Sequence, residues 1–256
     1  MSRTDLASEI SPESGLTVEK STISGIEITK VNIDKKASER TKKPAGNYVT
    51  LSCKQKNAEA EAFLLAEILA KMLSGFNPQK VLITGLGNDN VTPDSLGVRA
   101  AEKVLATAHF KSSEEFTDLG LKEVYVIEPG VMAQTGLESA SHLKFIADGI
   151  EPDCLIVIDS LACKEKERLA TTIQVTDTGI APGSGVKNQR QEFSQSVFGV
   201  PVIAIGVPTV IDIENLLLIP KDVDVIILHF AKVISMAINR VLNPSLDESE
   251  IEGLLV

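Results

Sequence analysis

Positive charge and cysteine are both scarce in this sequence. It has 25 lysine and arginine residues against 35 aspartate and glutamate residues, and the resulting net charge of −10 argues against duplex nucleic acid as a direct ligand. The three cysteines, Cys53, Cys154 and Cys163, are odd in number and form no CxxC pair. This pattern fits a reducing cytoplasm, and we expect all three to be buried thiols that serve packing.

Long apolar runs, metal motifs and cofactor motifs are also missing. No apolar run approaches the ~20 residues that span a bilayer, and residues 1–5 lead into no signal-peptide core. We therefore expect a cytoplasmic protein without a membrane partner. His109, His142 and His229 lack HExxH-like spacing, and Gly85-Leu86-Gly87 lacks the third glycine of a dinucleotide fingerprint. The sequence indicates neither a metal nor a cofactor.

Hydrophobic periodicity predicts an α/β fold. Residues 24–33 alternate apolar and polar side chains, as a half-buried strand does, and residues 48–51 are the predicted partner. Short apolar strands and helical stretches then alternate, with strands at 81–83, 124–127, 155–158, 173–175 and 202–205 and helices near 94–107, 138–149 and 222–241. Apolar strands joined by helical crossovers are typical of a sheet covered on both faces. We predict a three-layer sandwich with a central, mostly parallel sheet and an N-terminal β extension.

Polar segments flank the predicted domain. Residues 1–20 show no clear period, so we interpret them as a mobile leader, followed by a single domain over 21–243. The acidic tail, 244–256, is expected to be loosely held. Within the domain, Asn57 is placed to cap a long helix whose apolar stripe includes Phe63 and Leu69.

Aspartates follow three of the predicted strands, at the sheet edge where α/β folds collect ligands. These are Asp94, Asp159 and Asp177. Two carboxylates within ~3 Å share one proton, so that one activates water while the other protonates a leaving group. This arrangement predicts an acid–base hydrolase. The structural alternative is that Asp94 begins a helix and Asp159 caps the next segment.

Several long motifs resemble the germination proteases of spore-forming bacteria, and the resemblance covers nearly the whole chain. The motifs are GNDNVTPDSLG, PGVMAQTG, IDSLA, TTIQVTDTGIAPGSGVKNQR and GVPVIAIGVPTVID. The resemblance implies a fold similar to that of hydrogenase maturation endopeptidases. It also implies an endopeptidase that starts the degradation of small acid-soluble spore proteins in the forespore or spore core. Such enzymes are homotetramers, made as zymogens and activated by removal of a short N-terminal propeptide.

The same resemblance implies an aspartic-type mechanism for which Asp94 and Asp159 match the two family aspartates, with Asp177 as a supporting candidate. Equivalent positions bind a metal in the related maturation enzymes, so a metal-dependent peptidase is an alternative. A non-catalytic paralogue that binds rather than cleaves is another. The chain also departs from the family, because Asp89 stands where a tryptophan is usual and an insertion after the PTV-D region is missing. The missing segment bears on the substrate groove and on tetramer formation.

The leader contains a sequence that resembles the family's own cleavage site. Residues 4–10 read TDLASEI, and the family cuts spore proteins at T-E-(F/I)-A-S-E-F after the acidic residue. We therefore predict that the propeptide is cut between Asp5 and Leu6, by the same chain or a neighbour. A fall in pH would favour this cleavage, since the working pair of carboxyl groups carries one proton.

Overall fold

The computed structural model describes residues 4–11, 15–183, 190–213 and 216–255, and in it one sheet lies between two layers of helices. The strands are β1 (Thr17–Ile23), β2 (Ile26–Ile33), β3 (Gly46–Ser52), β4 (Lys80–Gly85), β5 (Glu123–Ile127), β6 (Cys154–Cys163), β7 (Thr172–Thr176), β8 (Val202–Ile213) and β9 (Leu216–Leu218). The helices are α1 (Lys35–Thr41), α2 (Ala58–Leu73), α3 (Leu96–Ala101), α4 (Glu114–Asp118), α5 (Met132–Thr135), α6 (Ser139–Ile150), α7 (Gln195–Phe198), α8 (Val223–Leu242) and α9 (Glu248–Leu254).

The strand order is β1-β2-β3-β7-β8-β6-β4-β5, and β9 pairs with the end of β8. The strands β8, β6, β4 and β5 run parallel to one another, and they include the predicted crossover strands. The N-terminal extension, β1 to β3, joins them antiparallel through β7. The predicted α/β architecture with an N-terminal β extension is confirmed, and the complete sheet is mixed.

Alternate residues of the central strands supply two separate cores, as the period of two in a strand requires. On one face, Ile83 and Ile156 pack with buried residues of α2, α3 and α8. On the other face, Leu82 and Leu155 pack with Leu143 of α6 and with α7. Helices therefore cover both faces of the sheet, which makes the three layers.

Two strands are longer than their apolar runs predict. The run 155–158 continues as β6 to Cys163, and the run 202–205 continues as β8 to Ile213. Asp159 and Gly206 interrupt the apolar patterns and resemble turn residues, but they are ladder partners of each other. Asp159 therefore lies inside a strand instead of in the turn that follows one.

The helix α8 is long and apolar enough to span a membrane by length and composition alone, which differs from the expectation that no segment approaches that length. Most of it is buried inside the protein. Ile227, Ile234 and Ile238 belong to the main core, so α8 packs as a core helix of the sandwich.

Described residues at both ends of the chain are packed against the domain, which differs from the expected mobile leader and loose tail. Leu6 and Ala7 of the leader are 0% exposed. In the tail, α9 begins with a capping box between Asp247 and Glu250, and Ile251 is buried. Tertiary contacts therefore order polar segments that the sequence pattern alone leaves without structure.

The helix α2 confirms one detail of its prediction and corrects another. The Asn57 side chain accepts a hydrogen bond from the Ala60 N–H, as predicted for an N-cap. Leu69 is buried, but Phe63 is 52% exposed. The buried stripe runs through Leu65, Leu69 and Leu73, which leaves Phe63 on the opposite side of the helix.

Replacing Gly97 should destabilise the fold, because α3 begins in direct contact with two backbone oxygens. An added Cβ would lie 2.3 Å from the Leu86 oxygen and 2.4 Å from the Ile158 oxygen. We expect Gly97→Ala to lower the free energy of unfolding by about 1–3 kcal/mol, measured by chemical denaturation. Gly149→Ala in α6 is the control, since nothing lies within 4 Å of the added Cβ. Equal losses in both variants would show that the close approach at Gly97 has no energetic weight.

Candidate active site

Asp94 lies in the loop between β4 and α3, in a 3-10 turn over Thr92–Asp94. Its carboxylate Oδ2 accepts a hydrogen bond of 3.0 Å from the Asn88 N–H, which also bonds to the Asp94 carbonyl. The Thr209 hydroxyl of β8 donates to the Pro93 carbonyl over 2.7 Å. Only glycine fits at position 87. Its φ is +116°, and an added Cβ would fall 1.8 Å from the Asp94 carbonyl oxygen. The loop thus holds Asp94 against the end of the sheet.

Asp159 lies in β6 and is only 5% exposed. Its Oδ1 accepts a 2.8 Å hydrogen bond from the Ser160 N–H. Asp94 and Asp159 line the same cavity of about 300 Å³. The structure therefore brings together the two aspartates that the sequence places 65 positions apart.

The electrostatics of this cavity favour a proton on the pair. Burial and the neighbouring Asp94 carboxylate raise the pKa of Asp159 well above its ordinary value, with a further contribution from Asp5. Burial also raises the pKa of Asp94, against the opposing effects of the Asn88 N–H and the Arg190 guanidinium. Two desolvated carboxyl groups that repel each other's charge can act as one proton donor and one acceptor.

The leader reaches this cavity at Asp5, which is one of the residues that line it. Asp5 N–H donates to the Ala162 carbonyl over 2.9 Å, and Ala162 N–H donates to the Asp5 carboxylate over 2.8 Å. Leu6 packs with Leu161 and Ile211 in a small apolar cluster. Further along, both oxygens of Glu9 accept backbone N–H groups, at residues 164 and 165. The predicted cleavage sequence is therefore held by β6 and the residues that follow it, with Asp5 at the cavity of the two aspartates.

The carbonyl oxygen of Asp5 has two donors of its own. Lys43 Nζ donates to it over 2.9 Å, and Gln174 Nε2 donates over 3.1 Å. Sequence reasoning missed both residues. Gln174 carried a signal, since a polar side chain at the centre of an apolar strand has to find a partner. Lys43 stands in a turn-like stretch, where a lysine is ordinarily a solvated side chain.

Asp177 is placed elsewhere. It is exposed, and its two carboxylate oxygens accept hydrogen bonds from the backbone and side chain of Asn47, at 2.8 and 2.7 Å. These bonds tie the end of β7 to β3. It does not line the cavity that holds Asp94 and Asp159, as far as the described residues define that cavity. Residues 184–189 of the TTIQVTDTGIAPGSGVKNQR motif lie outside the described part of the chain.

Cysteine offers no nucleophile near this cavity. All three cysteines are buried and free, as the sequence predicts. Burial raises the pKa of Cys154 and of Cys163 to about 12, so both remain thiols at neutral pH. Among the described residues, no group of three or more histidine, cysteine, aspartate or glutamate side chains could hold a metal ion.

Sequence comparison relates the chain to one family. The pattern of the family described as "Germination protease" matches residues 2–215. A germination protease of Caldanaerobacter subterraneus subsp. tengcongensis is 35% identical, over 94% of this chain and 92% of the relative. That of Clostridium acetobutylicum is 34% identical, over 97% of both chains. That of Bacillus cytotoxicus is 43% identical over 85% of this chain, which spans 62% of that relative's length.

Among solved structures, a [NiFe] hydrogenase maturation protease, HycI from Thermococcus kodakarensis, is similar over 67% of this chain and 99% of its own. The sequence identity is 19% and the TM-score is 0.40.

The raised pKa of Asp159 sets the sign of a stability test. The folded state holds the proton more tightly than the unfolded chain does, so Asp159 costs stability as pH rises through its raised pKa. We expect Asp159→Asn to be more stable than wild type at about pH 7.5, and the difference to shrink toward about pH 4. Urea denaturation at several pH values measures this.

Asp153→Asn is the matched control of opposite sign. The Lys80 and Gln79 N–H groups lower the pKa of Asp153, so this variant should lose stability at neutral pH and recover in acid. An Asp159→Asn variant that is less stable than wild type at neutral pH would contradict the assigned shift.

Proposed function

The chain belongs to the germination protease family, which supports a peptidase role in spore germination, and we propose that it is an aspartic-type endopeptidase that uses Asp94 and Asp159. The observation that carries the proposal is the shared cavity. A buried carboxyl group, Asp159, and a half-buried one, Asp94, line it with raised pKa values, and Asp5 of a peptide that resembles a cleavage site also lines it.

In the proposed reaction, one carboxylate of the pair takes a proton from a water molecule, whose oxygen attacks the carbonyl carbon of Asp5. The electron pair of the C=O π bond moves onto the carbonyl oxygen. When the tetrahedral intermediate collapses, the C–N bond breaks and the Leu6 nitrogen receives the proton held by the other carboxyl group. Asp159, the more buried of the two, is the member that we propose to be protonated at the start.

We propose that the chain with its leader bound is an inactive zymogen. With Asp5 bonded to Ala162, and Leu6 and Ala7 fully buried, the bound leader covers part of the surface that a substrate would use. Removal of residues 1–5 would break the Asp5 contacts and free the cavity. We propose that this cleavage is the activation step, made by the same chain or by a neighbour.

The substrates that we propose are small acid-soluble spore proteins in the forespore or spore core, because residues 4–10 resemble the site at which such proteins are cut. The net charge of −10 suits a protein substrate better than direct binding to nucleic acid. A homotetramer is also proposed. Light scattering tests it. The test matters because this chain spans only 62% of the length of the Bacillus cytotoxicus relative, and the missing segment bears on tetramer formation.

Removing either carboxylate should stop self-cleavage. We expect Asp94→Asn and Asp159→Asn to slow release of residues 1–5 by at least about 10²–10³-fold, since each loses one half of the acid–base pair. Mass spectrometry of the intact chain over time measures the release. Asp177→Asn is the matched control, because Asp177 is held by Asn47 outside the cavity, and it should be cut at the wild-type rate.

Cleavage at the normal rate in either Asp94→Asn or Asp159→Asn would remove the proposed function. The same assay with a chelator, and then with added divalent ions, distinguishes an aspartic-type mechanism from that of a metal-dependent peptidase. Activity that is lost with the chelator and restored by the ion would overturn the aspartic-type mechanism.

Self-cleavage should speed up on acidification. Above the raised pKa of Asp159 the pair is mostly doubly ionised, so the fraction carrying one proton grows up to about tenfold for each unit by which the pH falls. The first-order rate of leader release between about pH 8 and pH 5 measures this dependence. A rate that is constant over that range would contradict a shared proton.

A further inference from the structure

We infer that Lys43 and Gln174 form the oxyanion-binding site of this enzyme, where they stabilise the negative charge that develops on the carbonyl oxygen of the bond being cut. The inference rests on the proposed function, because it takes Asp5–Leu6 as that bond. It adds two catalytic residues that contact the substrate carbonyl directly.

The geometry supports this role. Lys43 Nζ and Gln174 Nε2 donate to the Asp5 oxygen at 2.9 and 3.1 Å, so two donors from different elements converge on one atom. Oxyanion donors lie about 2.7–3.1 Å from the position that the oxygen takes in the tetrahedral intermediate, and two donors already bonded to the carbonyl oxygen need only follow its movement. Lys43 also donates to the carbonyl of the preceding residue, Thr4, over 3.1 Å, which holds the peptide from both sides of the Asp5 Cα.

Gln174 is locked in the orientation that this role needs. It is 5% exposed, and its Oε1 accepts the Ala7 N–H over 2.7 Å. With the oxygen used in this way, the amide nitrogen has to point toward the Asp5 carbonyl. One side chain therefore binds the peptide on both sides of the proposed scissile bond.

The sheet places Gln174 in the same row as Asp159. Gln174 of β7 pairs with Gly206 of β8, and Gly206 pairs with Asp159 of β6. Partners in one row point to the same face, and two strand spacings separate their Cα atoms by about 10 Å. A peptide lying between them can meet the carboxyl pair on one side and the amide donor on the other. Glycine at 206 lets the Leu161 side chain lie over this row, since a Cβ there would fall 2.5 Å from it, and Leu161 in turn packs with Leu6 of the leader.

Lys43 supplies the charge. Burial lowers its pKa, and the Asp5 and Glu9 carboxylates of the leader oppose that shift. An ammonium group removed from water interacts more strongly with a full negative charge than with a neutral carbonyl, so its contribution grows toward the transition state. No proton has to leave Lys43, because the electron pair on the oxygen returns to re-form C=O when the C–N bond breaks.

The competing interpretation is that both residues only anchor the leader. An anchor binds the ground state and the transition state equally, so its loss would release the leader without slowing the chemistry of a bound one. Oxyanion donors act on the chemical step. The two roles are therefore distinguished by the cleavage rate of chains whose leader is still bound.

The test is self-cleavage of the full-length chain, followed by mass spectrometry after acidification, with leader binding followed by hydrogen exchange at the Ala7 amide. Lys43→Met and Gln174→Glu are expected to cut about 10²–10³-fold more slowly than wild type. Gln174→Glu keeps the acceptor for Ala7 but replaces the donor with a carboxylate oxygen. Lys36→Met, at an exposed lysine of α1, is the control and should cut normally.

Slow cleavage with a protected Ala7 amide supports the inference. Cleavage at the wild-type rate in both variants would overturn it. Slow cleavage would also overturn it if the Ala7 amide exchanges freely in the slow variants, because the leader is then no longer bound. Melting temperatures identify a variant that has not folded, in which case the other variant decides. Asp159→Asn, run in parallel, separates the two proposals. Normal cleavage in that variant defeats the proposed function, whereas loss there with normal cleavage in Lys43→Met and Gln174→Glu defeats only the inference.

Discussion

The pairing of β6 with β8 beyond their apolar runs is the constraint on which the site depends. Because Asp159 and Gly206 remain ladder partners, the Asp159 carboxylate is carried on a buried strand and not on a mobile turn. Burial on this strand, together with the neighbouring Asp94 carboxylate, raises the pKa of Asp159. Asp94 completes the pair from a loop, where the Asn88 N–H donates a hydrogen bond to its carboxylate.

The leader uses the same sheet as a docking surface. Its backbone and its Asp5 carboxylate bond to Ala162, next to the register shift between Leu161 and Ala162 of β6. Such an irregularity leaves backbone groups available for a segment from outside the ladder. Burial of Leu6 and Ala7 then accounts for the order of a segment whose composition is polar overall. In the proposed function, a substrate would bind through the same set of contacts that hold the leader.

Much of the fold could be predicted from the sequence. The alternation in 24–33, the apolar runs of the central strands and the Asn57 cap are local signals, and each element they predict is present. The lengths of β6 and β8 could not be predicted, because Asp159 and Gly206 look like turn residues until their pairing is known. The exposure of Phe63 and the order of the two ends likewise depend on contacts with distant residues.

For the candidate site, the sequence by itself determined the chemical groups: two aspartates after apolar strands and a leader that reads like a cleavage site. These are properties of residue type and local spacing, which a sequence displays directly. Only the tertiary structure decided that Asp94 and Asp159 share a cavity, that Asp177 binds Asn47 instead, and that Lys43 and Gln174 meet at the Asp5 carbonyl. Those contacts join residues on separate strands and loops, and strand order and register are set by the whole sheet rather than by any one segment.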